Sequence, residues 1–366
     1  MLSISKEFIL KTAKNSKFCL PIDYYSSENS LYSAVLNSLI ESKASELFHD
    51  LEVIECCTIE KYPKVVSVEN SKIIFIIYDR YMEVVNDIFN YLYESNVEES
   101  NSDIEKLVFG LKAENCLLND DKLGFIYTAL NYNSFSDFNF NHLLVKKNSF
   151  VASMQVYFLL LHEFAHYSFK SININEFKTS VTITLKTLCD DLLLSLNDDE
   201  DLPSIINSMK NLVDNEDLIE ECCCDLFAMG FMFRYLQNTI NSVEKKIETI
   251  KAIMLQLNTL NLLSLVHEKQ NPNDFSYFEL TTYLRIGSFR AHISNYFDEC
   301  HVDKLHLTIN ELFKKFDQFF NTCFLKKFYS IEDEINNLKE NISPENIICE
   351  NYFDLYKGLT WNEIKM

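Results

Sequence analysis

Glycine and proline are nearly missing from this chain: five of each occur in 366 residues. Average usage would supply roughly five times as many glycines and four times as many prolines. Tight turns, bulges and hairpins consume those residues. A protein built of many short strands is therefore excluded, and long helices with few connections are expected. Positive charge is also scarce. Against 54 Asp and Glu stand 33 Lys and Arg, a formal net charge of −21. Such a chain repels nucleic-acid phosphates and anionic membrane surfaces, so no nucleic-acid partner is expected. No apolar stretch reaches the length of a membrane span. The longest, 150–161 and 253–266, are short and broken by Gln, Ser or Asn. The first residues lack a basic segment leading into an apolar run and a small-residue cleavage site. The eleven cysteines are odd in number, without regular disulfide spacing or any CxxC pair. A reducing, cytoplasmic setting is the expectation, with an exported effector lacking a signal peptide as the alternative.

What is present points to a helical protein with one short β region. The chain is 47% hydrophobic, enough for one large or two modest domains, and its 29 Phe and 19 Tyr suggest an aromatic core. Residues 31–48 place Leu31, Val35, Leu36, Leu39 and Ile40 at helical spacing. The runs 51–59, 65–68 and 73–78 read as strands, the last two joined by a turn at Asn70 and Ser71. Helices are then expected over 79–93, 104–118, 122–132 and 151–169. Further helices are expected over 180–196, 203–213, 216–239, up to 267, and near 277–297, 302–325 and 330–340. The fold class is α+β and predominantly helical. A small antiparallel sheet would lie N-terminal to the helix over 151–169, with a helical part at the C-terminus. The natural division is an N-terminal α/β part over 1–148, a helical part over 149–300 and a C-terminal helical part over 301–366, together one unit.

One segment carries chemistry. His162-Glu163-Phe164-Ala165-His166 is an HExxH pattern, and two of the chain's eight histidines fall in it. Residues four apart on a helix share a face, so both imidazoles can meet one Zn²⁺. Glu163, beside the first histidine, can reach a metal-bound water as general base. A catalytic zinc wants three protein ligands and one open position. The metzincin continuation needs Gly and His at positions occupied by Phe169 and Ile172, which excludes that class. A glutamate on a second helix is the other solution. The segment from Asp217 to Ala228 offers Glu221, with Glu220 as its rival, and Asp225 one turn further on the same face. Glu221 would complete a His₂Glu site for one zinc per chain. Asp225 would accept the second ring N–H of a ligand histidine, His162 being the favoured one. Leu218, Cys222, Leu226, Met229 and Phe233 form an apolar stripe that supports a helix here. The triplet Cys222, Cys223 and Cys224 reads as core packing rather than as ligands.

HExxH followed by Glu221-xxx-Asp225-Leu226-Phe227-Ala228 resembles the pattern of gluzincin-type zinc metallopeptidases, above all the Lit-type phage-exclusion peptidases and the ImmA/IrrE-like intracellular proteases. The resemblance covers roughly 70–235; Cys224 stands where such families often carry Ala. It implies zinc-dependent cleavage of one or a few intracellular protein targets, with a role in phage defence among the expectations. It also implies a further donor for the oxyanion or the substrate from the segment after the third-ligand helix, where Tyr283, Arg285, Arg290 and His292 are candidates. The strand over 73–78 is either plain core or an edge along which a peptide substrate lies. Two other functions compete: a non-catalytic interaction protein on a zincin scaffold, and a secreted effector or toxin protease. An intact Glu163 argues against the first.

Overall fold

Helix formation with so few helix-breaking residues gives long elements, and most run 13 to 25 residues. The computed structural model describes residues 51–56, 64–67, 74–94, 102–135, 149–170, 173–195, 211–236, 239–267, 277–298 and 303–342, together with Val35 and Ser38. The expected helix over 31–48 otherwise lies outside these residues, as does most of that over 203–213.

Three short strands open the described order: β1 (Leu51–Cys56), β2 (Lys64–Ser67) and β3 (Ile74–Asp79). The helices are α1 (Arg80–Glu94), α2 (Ser102–Leu118), α3 (Lys122–Ser134), α4 (Ser149–Ser168), α5 (Asn175–Ser195), α6 (Glu216–Tyr235), α7 (Val243–His267), α8 (Tyr277–Asp298), α9 (Asp303–Gln318) and α10 (Lys326–Asn341). Residues Phe319–Leu325 form a π-helical segment that carries α9 into α10 without a break. The expected gap between helices ending at 325 and starting at 330 is therefore absent.

The expected α+β class with a small antiparallel sheet needs correction. Every regular segment whose side chains are described is helical. The strands are ordered β1-β3-β2, with β1 parallel to β3 and only β2 antiparallel to it. The pairing is mixed because β3 returns between the two earlier strands, which hydrophobic alternation along one strand does not encode. As the central strand, β3 is paired on both sides, so it has no free edge for a peptide.

The chain groups into two units, each assembled from separated segments. The first contains Met1–Asn86, Asn148–Leu257 and Asp274–Leu307; the second contains Asp87–Lys147, Asn258–Asn273 and Thr308–Met366. In the first, α4 packs on β2, β3 and α6, and α5 packs on α6 and α8. Helix α4 is apolar on nearly every side, and Val151, Met154, Val156, Phe158, Leu159, Leu160 and Leu161 are all buried. Each such side chain contributes about 1.5–3 kcal/mol. Gly287 lets α8 come close to α5: a Cβ there would stand 2.9 Å from Leu188 Cδ1.

In the second unit, Phe89, Tyr93, Phe316, Phe319 and Phe324 form an aromatic cluster. Tyr93 and Phe316 stack with centroids 4.4 Å apart. Lys112 is fully buried, with Nζ 3.1 Å from Glu332 Oε2 and 4.3 Å from the centre of the Phe328 ring. Among the described residues, one helix is long and apolar enough to cross a membrane, over Val243–Val266. Since 89% of its apolar window is buried by the protein, it has the character of a core helix.

Candidate metal centre

The site lies wholly within the first unit, on α4, α6 and α8. The apolar length of α4 buries it up to the first histidine, so His162 is 3% exposed. His166, one turn later, emerges toward the surface, with its side chain 20% exposed. Helix α6 starts at a defined residue. Asn215 is its N-cap, its side chain accepting the Leu218 N–H at 3.0 Å, and Glu216 and Asp217 complement the helix dipole in the first turn. That start sets the register. The stripe Leu218, Cys222, Leu226, Met229 and Phe233 is buried, and Glu221 and Asp225 share the face that meets α4.

Both imidazoles turn Nε2 to Glu221. His162 Nε2 lies 3.3 Å from Oε2, and His166 Nε2 lies 3.3 Å from Oε1. The rings are 5.0 Å apart between centroids and nearly perpendicular. One atom from each of the three residues can be chosen so that all lie within 4.8 Å of one another. Two imidazole nitrogens and a carboxylate oxygen gathered in this way could hold a metal ion, and they are a donor set that zinc accepts.

Each of the other ring nitrogens has a carboxylate oxygen close by. His162 Nδ1 lies 2.9 Å from Asp225 Oδ1, and His166 Nδ1 is 2.8 Å from Glu220 Oε1. The Glu220 hydrogen bond fixes the His166 ring, whereas Asp225 Oδ1 stands close to His162 Nδ1 without hydrogen-bond alignment, and both Nε2 atoms are left facing Glu221. Arg285, from α8, donates to Asp225 through Nε (2.7 Å to Oδ2) and Nη2 (2.8 Å to Oδ1), and its Nη1 lies 3.1 Å from Glu221 Oε2.

Burial and charge act against each other here. Burial alone would depress His162, but Asp225 and Glu221 together outweigh it and raise its pKa to about 10. His166 is raised the same way: burial works against its charged form, and Glu221 and Glu220 more than offset it. Glu221 is held well below the usual carboxylate range; burial opposes this, and Arg285 and the two histidines prevail. Asp225 is lowered by the same guanidinium and by His162 in spite of its burial. Glu163 differs. Burial pushes it up to about 7, against the pull of His162, His166 and Arg285. A carboxyl poised near neutrality suits a group that takes and returns a proton.

The structure thus brings together His162, Glu163, His166, Glu221, Asp225 and Arg285. It gives Tyr283, Arg290 and His292 other neighbours. Tyr283 faces Asp191, Cys189 and Arg290 electrostatically. His292 Nδ1 is 2.8 Å from Ser288 O, and its Nε2 is 3.4 Å from Ser180 Oγ on α5. Arg285, grouped with these three by sequence position, has its three nitrogens on carboxylates of α6 instead. Cys222, Cys223 and Cys224 are buried thiols, and burial pushes each of them upward, Cys223 to about 11. They are protonated at neutral pH and behave as small apolar side chains.

Sequence reasoning missed two features. Glu220 is not a rival to Glu221 but the partner of His166; the signal was two adjacent acids on a helix meeting two histidines one turn apart. The helix expected over 180–196 is α5, whose earlier start at Asn175 and whose packing on α6 and α8, the helices carrying the carboxylates and the guanidinium, were not foreseen.

No protein-family model matches the chain, and neither the curated proteins nor the solved structures yield a significant match.

Proposed function

We propose that this protein is a zinc-dependent endopeptidase of gluzincin type, using His162, His166 and Glu221 as ligands and Glu163 as general base. The observation that carries this reading is the convergence of both Nε2 atoms on one carboxylate, with Asp225 and Glu220 behind them. Bound zinc would polarise a scissile carbonyl and acidify water. The chain's own residues do the rest. Asp225 and Glu220 keep the rings in one orientation. The Glu163 carboxylate accepts a proton from water and returns it to the leaving amine. Its pKa of about 7 permits both transfers near neutral pH. Glu221, with its side chain 37% exposed, and His166 form the open side of the site, where a substrate can approach. Burial of Glu163 supports catalysis over a scaffold role, since a metal site kept only for structure has no use for an ionisable carboxyl there.

The proposed targets are of the class the motif resemblance implies: one or a few intracellular proteins, with phage defence among the settings it implies and action as an exported effector as the alternative. Profiling newly formed protein N-termini in cells carrying the wild type or Glu163→Gln tests the reading. Cleavages present with the wild type and lost in the variant, at equal zinc content, are expected. Equal zinc with no Glu163-dependent cleavage would overturn it.

A further inference from the structure

Arg285 is an expensive residue to place where it stands. Only four of the chain's 33 basic residues are arginines, and this one is largely covered, its side chain 14% exposed, against the helix that carries Glu221. Asp225 is 1% exposed. A carboxylate so deep is retained in charged form only with a partner that satisfies it. The planar guanidinium meets both Asp225 oxygens at 2.7 and 2.8 Å. Its remaining nitrogen, Nη1, is 3.1 Å from Glu221 Oε2. An ammonium group is a point donor and cannot span two carboxylates one helical turn apart with this fork.

Oε2 of Glu221 lies 3.1 Å from Arg285 Nη1 and 3.3 Å from His162 Nε2, and Oε1 lies 3.3 Å from His166 Nε2. The same guanidinium fixes Asp225, whose Oδ1 faces His162 Nδ1 at 2.9 Å. One side chain therefore controls the rotamers of a ligand and of the residue that orients a second ligand. We propose that Arg285 is a positioning residue for the metal site. It holds Glu221 against the two histidines and keeps Asp225 beside His162 before any ion arrives. This rests on the zinc reading above, but assigns Arg285 a task different from contacting substrate.

The test is zinc affinity, measured by competition with a chromophoric chelator on metal-free wild type, Arg285→Lys and Arg285→Gln, with Co²⁺ absorption spectra of each loaded form. Both variants are expected to lose on the order of 10–100-fold in zinc affinity. The visible bands of the cobalt forms should shift, because Glu221 is free to turn once the guanidinium no longer holds it. A purely structural role would lower thermal stability and leave the affinity of the folded variant and its cobalt spectrum unchanged. Zinc affinities within twofold of wild type in a folded variant would overturn the proposal while leaving the zinc reading intact; a wild type that takes up no zinc would overturn both.

Should neither variant fold, the unaltered protein decides. With four arginines, ¹⁵N-arginine labelling gives four Nε–H signals. One of them should exchange slowly with solvent in the metal-free chain and move when zinc is added. Rapid exchange of all four in the metal-free protein would overturn the proposal.

Discussion

His162 and His166 stand one turn apart on the same face of α4, and the fold surrounds them differently. His162 is 3% exposed and backed by Asp225, itself buried and forked by Arg285. His166 is backed by Glu220, whose side chain is 43% exposed. A buried carboxylate needs a fixed counter-charge, whereas a solvated one does not. The buried arm therefore anchors the geometry at a high cost in desolvation. The rim arm is hydrogen-bonded at 2.8 Å, whereas Asp225 stands 2.9 Å from His162 Nδ1 without hydrogen-bond alignment, and the rim arm leaves room for solvent beside it.

The contrast predicts unequal effects of removing the two carboxylates. Asp225→Ala takes the two-pronged partner from Arg285, leaving it Glu221 alone, and should lower unfolding free energy by about 3 kcal/mol in denaturant titrations of the metal-free protein. A loss below about 1 kcal/mol would mean the buried arm is no anchor. Next in size is the effect of pH on metal uptake. His162 is raised from 6.5 to about 10, so its charged ring stabilises the metal-free fold below pH 6.5, and that contribution is lost as pH rises through about 10. Zinc requires the neutral ring and must displace this proton. Calorimetric titrations at pH 7 in buffers of different ionisation enthalpy should show at least one proton released per zinc. No release would place a neutral His162 in the metal-free site.

Glu220→Ala tests the rim arm. Zinc affinity should fall about tenfold, while stability changes by no more than about 0.5 kcal/mol. A stability loss equal to that of Asp225→Ala would erase the distinction between the arms. The smallest effect concerns the register of α6: Asn215→Ala removes the cap and should cost about 1 kcal/mol, read as a lower thermal midpoint.

The local half of this site is legible in the chain because the α-helix repeats every 3.6 residues. Histidines at 162 and 166, and acids at 221 and 225, must each share a face once their segments are helical. What joins one helix to another is not written that way. Arg285 lies 60 residues beyond Asp225, and only the packing of α8 on α6 makes it a counter-ion. The same limit explains Glu220, whose direction depends on how α6 rolls against α4. The strands fail for a related reason. Alternation marks a segment as extended but does not say which neighbour it pairs with, so β1 and β3 were not seen as a parallel pair. The start of α5 at Asn175 was missed because its first turns, with Glu176, Phe177, Thr179 and Ser180, are exposed and show no apolar stripe.

The zinc content of protein purified without chelators and then dialysed against zinc tests the central claim most directly, with His166→Ala and Glu221→Ala measured alongside the wild type. One zinc per wild-type chain, lost from both variants while they keep their helical circular dichroism, is the predicted result. A wild type that takes up no zinc, or variants that retain it, would contradict the metal centre.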